Sequence, residues 1–273
     1  MDLTYFGTNT LLIKKGSSSV LIDPHFTRPG LFQLLGKIKP DREKIGSGLK
    51  VLGVNGLDGV LLTHTHYDHA MDALGVIDQV GGVLYGSESA ASLAKGAGLS
   101  KEEFRVVKPN MQVNIGKFIV KWLNSQHIPF PPPLDWFMPK SGRINQPLST
   151  PCYFWEYQCG AVYAVVIDHL LVFGSAGFIP DVYRSADAQV VVLSIGGLET
   201  KPFPYLEKLY QETVVDAGAQ QVLVSHWDNF FKPISKNYQT LGLAKTTINH
   251  LQRLGERNGQ VVKVLYPGET VKL

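Results

Sequence analysis

GVLLTHTHYDH, residues 59–69, is the stretch whose reading decides the fold. An apolar run at residues 60–62 leads into His64, His66, Asp68 and His69. The run reads as a buried strand. In an extended segment, residues two apart point to the same side, so His64 and His66 can approach one ion together. Asp68 and His69 fall in the turn that follows, where the chain can direct them to a neighbouring ion. The next residues, HAMDALGVIDQV (69–80), carry apolar side chains at helical spacing. Three histidines and one aspartate within six residues point to metal binding. Imidazole and carboxylate donors suit zinc, and also iron or manganese.

Upstream, LTYF, TLLIKK and SVLIDP are short β-rich runs separated by turns at residues 7–9 and 16–18, an antiparallel meander. Residues 24–59 break this rhythm, with Pro24, Pro29 and Pro40 around one apolar run, LFQLLGKI. So long a connection reads either as a lid or binding loop or as an excursion covering a sheet edge. Downstream, VLYG reads as a strand, SESAASLAKGAG as a helix, and FRVV, QVNI and FIVKWLNS as strands. A Pro- and aromatic-rich insertion, residues 129–151, directly follows His127.

The second half repeats the pattern. YFWEYQ, AVYAVVI and LLVFG read as a meander. VVVLSIGG, QVLVSHW and VKVLYPG read as strands, between helices at YLEKLYQETVVDAG and TLGLAKTTINHLQRLG. Two similar halves predict two sheets packed face to face with helices outside. No linker divides them, so the expectation is one domain over residues 1–273, with loop insertions near 24–59 and 128–150.

The composition, 44% hydrophobic and 18% charged, is that of a folded soluble protein. A net charge of +3 with no basic run argues against a dedicated nucleic-acid binder. The start, MDLTYFGTNTLLI, has no basic region leading into an apolar one, and no apolar stretch is long enough to span a bilayer. If CYFWEYQC is a strand, Cys152 and Cys159 are roughly 23 Å apart at about 3.3 Å per residue. That is far beyond the ~7 Å a disulfide allows. Two free thiols and a cytoplasmic location are expected.

THTHYDH resembles the HxHxDH signature of the metallo-β-lactamase superfamily, and further matches run along most of the chain. LIDP puts Asp23 at the end of an early strand, NSQH puts His127 where the family has its next ligand, and SHW puts His226 where it has the last. The resemblance implies an α/β fold, a four-layer αββα sandwich with the site at one edge of its two sheets. It implies that His64, His66 and His127 hold a first ion, and Asp68, His69 and His226 a second. Three histidines and a water make an open catalytic zinc site, whose ion yields a hydroxide nucleophile near neutral pH. Asp68 is expected to orient that hydroxide. Asp23 reads either as a residue steadying a ligand histidine or as a turn aspartate before Pro24. His25, beside it, is a further residue that could line the site.

One position departs from the family. Where many members carry a bridging aspartate, this chain has Ser175, in Gly-Ser-Ala-Gly at residues 174–177. A neutral hydroxyl is a weak ligand. The expectation is one firmly held ion and a second that is weak or absent.

YFGTNTLLI, LIDPHFTRP, GSAGF and SHWDNFF resemble the generic metal-dependent hydrolases near the lactonase- and phosphodiesterase-like branch. The implied activity is hydrolysis of an ester, lactone or phosphoester in a small molecule, with zinc, or else manganese or iron. No nucleic-acid or membrane partner is expected. The alternatives are a non-catalytic metal-binding or sensing protein of the same fold, and a nuclease. Substrate recognition is expected from loops 24–59, 128–150 and 227–236, through Phe26, Trp136, Phe137, Trp227, Asp228, Phe230 and Phe231. Arg28, Arg143 or Lys232 would meet an anionic group.

Overall fold

Strands with alternating or wholly apolar faces assemble into two seven-stranded sheets. The computed structural model describes residues 1–130, 141–234, 240 and 243–273. Trp136 and Phe137 lie outside the described residues. The first sheet contains β1 (Asp2–Gly7), β2 (Thr10–Lys15), β3 (Ser18–Ile22), β5 (Gly59–Leu61), β6 (Val83–Gly86), β7 (Phe104–Val106) and β16 (Thr270–Lys272). Its order is β16-β1-β2-β3-β5-β6-β7. The second contains β8 (Gln112–Ile115), β9 (Phe118–Ser125), β11 (Val162–Ile167), β12 (Leu170–Phe173), β13 (Val190–Ser194), β14 (Gln221–Ser225) and β15 (Val261–Val264). Its order is β15-β14-β13-β12-β11-β9-β8. β4 (Lys37–Ile38) and β10 (Cys152–Tyr153) form a separate antiparallel pair.

Three apolar layers account for the stacking. Leu3, Leu11, Val20, Trp122, Val165 and Val172, drawn from both sheets, share one buried cluster between them. Trp122 is fully buried there and stacks on Tyr85 with ring centroids 5.9 Å apart. The outer face of the first sheet packs on α1 (Arg42–Val51), α3 (Ala73–Val80) and α4 (Glu88–Gly96). The outer face of the second packs on α5 (Phe203–Tyr210) and α6 (Ala244–Asn258). Burying each large aliphatic or aromatic side chain contributes about 1.5–3 kcal/mol, and the result is the αββα arrangement.

Each sheet is antiparallel where hairpins connect it and parallel where helices do. β3, β5, β6 and β7 run parallel, as do β12, β13, β14 and β15. Their carboxyl ends open at one edge of the sandwich, where ligands of open parallel sheets commonly bind. Asp23, Ser175 and His226 all lie just beyond such ends.

Several local expectations change form. The helix expected after the histidine motif is broken into α2 (Tyr67–Ala70) and α3. The segment containing Cys152 and Cys159 is not one strand: after Tyr153 the chain turns through a 3-10 helix, Phe154–Glu156. The 23 Å spacing therefore does not apply, but both cysteines are free and buried. Burial pushes their thiols up, to about 11 and about 12. The helix beginning at α5 continues through a π turn, Gln211–Val215. Among the described residues, no helix is long and apolar enough to cross a membrane.

The long 24–59 connection is tied down by a buried carboxylate. Asp72 accepts hydrogen bonds from Phe26 N (2.6 Å), Thr27 N (2.7 Å) and Thr27 Oγ1 (2.6 Å). Burial raises its pKa to about 6, against the pull of these donors. Asp72→Ala would leave three buried donors unsatisfied. The expected loss is about 3 kcal/mol of stability, read as a lower urea midpoint at pH 8. An unchanged midpoint would show that the loop is anchored elsewhere.

Candidate metal centre

The centre is assembled from strand ends, because a strand that stops abruptly leaves its next side chain projecting from the sheet edge. His64 and His66 follow β5, His127 follows β9 and His226 follows β14, while Asp68 and His69 sit on α2. His64, His66 and His127 form one group whose ligand-type atoms lie within 4.8 Å of one another, and Asp68, His69 and His226 form another. Asp23, His64 and His69 satisfy the same criterion. The two groups adjoin: the His64 and His69 ring centroids are 4.0 Å apart.

Asp23 orients the cluster from behind. Its fully buried carboxylate accepts from Thr63 N at 2.8 Å, Thr63 Oγ1 at 2.6 Å and Asn9 Nδ2 at 2.9 Å. It also lies 2.8 Å from His69 Nδ1. With those donors in place, His69 carries its Nδ1 proton toward Asp23 and turns Nε2 toward Asp68, 3.5 Å away. This is the way a carboxylate fixes the tautomer of a ligand histidine.

Thr63 extends the same logic to His64. Its hydroxyl donates to Asp23, so its oxygen accepts from His64 Nδ1, 3.0 Å away. His64 Nε2 is then a buried lone pair with no hydrogen-bond partner. His127 Nδ1 donates to the Ile128 carbonyl at 2.9 Å, which leaves Nε2 as its acceptor atom. A buried imidazole nitrogen without a donor is costly; a cation among these atoms would satisfy it. The residues present therefore fit a divalent metal ion.

Two glycines allow the close approach. A Cβ at Gly174 would lie 1.9 Å from Thr63 Oγ1, and one at Gly196 would lie 2.8 Å from His226 Nδ1. His226 itself adopts a positive φ of 56°. Its backbone N–H donates to Tyr5 Oη at 3.2 Å, and Tyr5 in turn donates to Asp228 Oδ1 at 2.9 Å. Asp228 also accepts from Thr8 N at 2.7 Å and pairs with buried Arg28.

The remaining expected residues divide. Ser175 lines the same cavity as His66, Asp68, His69, His127 and His226. Its Oγ accepts from Ile128 N at 3.0 Å, which ties it to the residue after His127. Phe230 and Phe231 line the cavity; Phe26 does not, being packed under the first sheet. His25 is fully buried beside Tyr67 and Phe230, off the cavity wall. Trp227 is core: its Nε1 donates to Leu265 O at 2.7 Å. Asp228 positions Tyr5 and the chain around Thr8 rather than facing the cavity. The cations expected to receive an anion are elsewhere. Arg28 is spent on Asp228, and neither Arg143 nor Lys232 lines the cavity. Asn9, Thr63 and Tyr5 carry no signal of their own in the sequence, since their role rests on partners distant along the chain. Glu199, on the cavity wall, was equally silent.

Charge within the metal-free cluster is uneven. Burial, then the neighbouring histidines, holds His64 well below the usual imidazole range, and burial brings His127 down to about 4. His69 moves up: burial opposes protonation, but the carboxylates of Asp68 and Asp23 outweigh it. Burial alone would raise Asp68, yet His69 and His226 hold its carboxyl well below the ordinary range.

A histidine must be neutral to ligate, so a metal competes with protons. His64 and His127 are already neutral at pH 6, whereas His69 must release a proton held to higher pH than usual. Zinc affinity at the Asp68, His69 and His226 group is therefore expected to climb steeply from pH 6 to pH 8. That at the group containing His64 and His127 should change much less over the same range, since burial holds both histidines low. Zinc titrations of metal-free protein at pH 6, 7 and 8 measure this. Two ions with the same pH slope would contradict it.

Comparison with known proteins identifies the family and the fold. The sequence model of the metallo-beta-lactamase superfamily matches residues 3–150. A UPF0173 metal-dependent hydrolase of Christiangramia forsetii is 34% identical over 84 residues, 31% of this chain and 31% of that protein. The match thus spans about a third of that relative's length. A second UPF0173 metal-dependent hydrolase, of Methylobacterium nodulans, is 24% identical over 196 residues, 72% of this chain and 73% of that one. In structure, the metallo hydrolase Igni18 of Ignicoccus hospitalis superimposes with a TM-score of 0.60 at 20% identity, over 99% of this chain and 97% of that one. CmlA of Streptomyces venezuelae, a diiron beta-hydroxylase, superimposes with a TM-score of 0.58 at 16% identity, over 100% of this chain and 54% of that one. With its family signature matched over more than half its length, the chain belongs to the metallo-beta-lactamase superfamily.

Proposed function

We propose that this protein is a metal-dependent hydrolase that cleaves an ester, lactone or phosphoester bond in a small molecule. The observation that carries the reading is that the ligand-type atoms of His64, His66 and His127 lie within 4.8 Å of one another, with His66 and His127 on the wall of a cavity of about 460 Å³. His64, His66 and His127 would hold the ion, with Asp68, His69 and His226 as a second, weaker group. Zinc suits three imidazoles with an open position; iron and manganese accept the same donors.

When bound, the ion supplies Lewis acidity, polarising the scissile bond and lowering the pKa of a water. The chain's own residues do the rest. Asp68 stays ionised, because His69 and His226 lie 3.5 and 3.4 Å from its Oδ2. It is therefore an acceptor throughout, able to orient a water by taking its hydrogen bond. Asp23 holds His69, and Ile128 O holds His127, so that neither ring swings during turnover. Leu34, Phe130, Phe154 and Phe230 wall off bulk water, which strengthens every charge interaction inside.

His66→Ala is expected to abolish hydrolysis of phenyl acetate and γ-lactones while the far-UV circular dichroism stays unchanged. Activity retained after metal depletion, or in this variant, would place the chemistry elsewhere. Tight zinc binding with no turnover of any ester, lactone or phosphodiester would instead favour a sensing role.

Ser175 bears on the number of ions. Without a carboxylate between the two groups, two cations would face each other poorly shielded. Metal content after dialysis against a mild chelator is expected to be about one firmly retained ion per chain, by the three-ligand logic of an open zinc site. Ser175→Asp should raise it. Two firmly held ions in the unaltered protein would refute this account.

A further inference from the structure

The cavity beside the metal cluster has a chemical character of its own. Leu31, Leu34, Leu35, Phe130, Phe230 and Phe231 all line it. Among the described residues that line it there is no lysine or arginine. Apart from Asp68, Tyr67 and the histidines, the one ionisable side chain among the described residues that line it is Glu199. A site built to read a phosphate or carboxylate would place arginines around it; this wall offers leucines, aromatic rings, a few hydroxyls and two acids, Asp68 and Glu199.

The position of Glu199 follows from its turn. Gly196 abuts the His226 ring and Gly197 abuts Phe130, so the 3-10 turn that follows, Leu198–Thr200, begins between the metal cluster and the aromatic wall. Glu199 joins the lining from that turn. Its side chain is half-buried, and burial raises its carboxyl.

The mouth is apolar as well. Leu31 and Leu35 line the cavity and yet are 61% and 78% exposed, so they stand at its opening. The β4–β10 pairing, with Tyr153 opposite Lys37, brings Phe154 to the same rim. A solvent-facing leucine pair is unfavourable unless something apolar covers it. A chain leaving the metal cluster through this opening would do so.

Resting on the hydrolase reading of the same site, we propose that the substrate is an uncharged molecule with an extended apolar group. The apolar group lies along Leu31 and Leu35, and Glu199 turns away ligands that carry a carboxylate or phosphate. Glu199 adds to Asp68 a second acid in a cleft that no lysine or arginine lines among the described residues, and clefts lined by one sign of charge select by charge.

Binding is tested without turnover, on metal-free protein at pH 8. The neutral dye Nile red is loaded, then displaced by octanamide, octanoate or propanamide. Octanamide should displace it at about tenfold lower concentration than octanoate, and propanamide should be much weaker than octanamide. Glu199→Gln should shrink the gap between octanamide and octanoate. Leu35→Ser, at a position exposed enough to spare the fold, should weaken both eight-carbon ligands and leave propanamide unchanged. Octanoate binding as well as octanamide, or both variants behaving like the unaltered protein, would overturn the proposal. Phenyl acetate turnover by the zinc-loaded protein is measured in parallel. The expected displacement pattern without turnover would uphold the ligand class and refute the hydrolase reading alone.

Discussion

A single buried carboxylate organises the site. Asp23 is fully buried and is surrounded by His69, Thr63 and Asn9. A buried charge is tolerated only when its acceptor positions are filled. Filling them fixes the rotamer of Thr63, the tautomer of His69 and, through Thr63 Oγ1, the direction of His64. Asn9 carries the effect across the sandwich: its Oδ1 accepts from Ser225 Oγ, next to His226. Residues from β3, the β1–β2 turn, β5 and β14 are thus coupled through one anion.

Two further buried acids do for the loops what Asp23 does for the ligands. Asp72 gathers the backbone of Phe26 and Thr27. Asp228 gathers Arg28, Tyr5 and the Thr8 N–H, and Tyr5 supports the backbone of His226. Arg28 and Asp228 looked like substrate-binding groups in the sequence because both flank the motif segments. They pair with each other instead, and neither lines the cavity. The character of the cavity is therefore a consequence of how the loop charges are neutralised.

The ligands themselves owe their convergence to sheet topology. Parallel strands from two sheets end at one edge, and each contributes a side chain there. Close backbone approach at Gly174 and Gly196 lets the two sheets' edges meet around the same space. The absence of a carboxylate at Ser175 is felt only because this residue stands on the wall of that cavity, bonded to the chain beside His127.

Much of this was legible in the sequence for a local reason. Strand periodicity and the crowding of His64, His66, Asp68 and His69 into one turn depend on neighbours along the chain. So the sandwich and the clustering of His64, His66, Asp68 and His69 could be read from residues 59–69 outward, while the resemblance to a family added His127 and His226. What needed the tertiary structure depends on partners far apart. Thr63 and Asn9 matter only because Asp23 lies between them. Arg28 and Asp228 exchange the role of recognition for that of support because they meet, 200 residues apart in the chain. Glu199 faces the metal cluster only because two glycines let its turn close against His226 and Phe130. Sequence carries the periodicities that decide which elements form, but the pairing of buried charges is decided by folding, since desolvation penalises every charge that folding leaves without a partner.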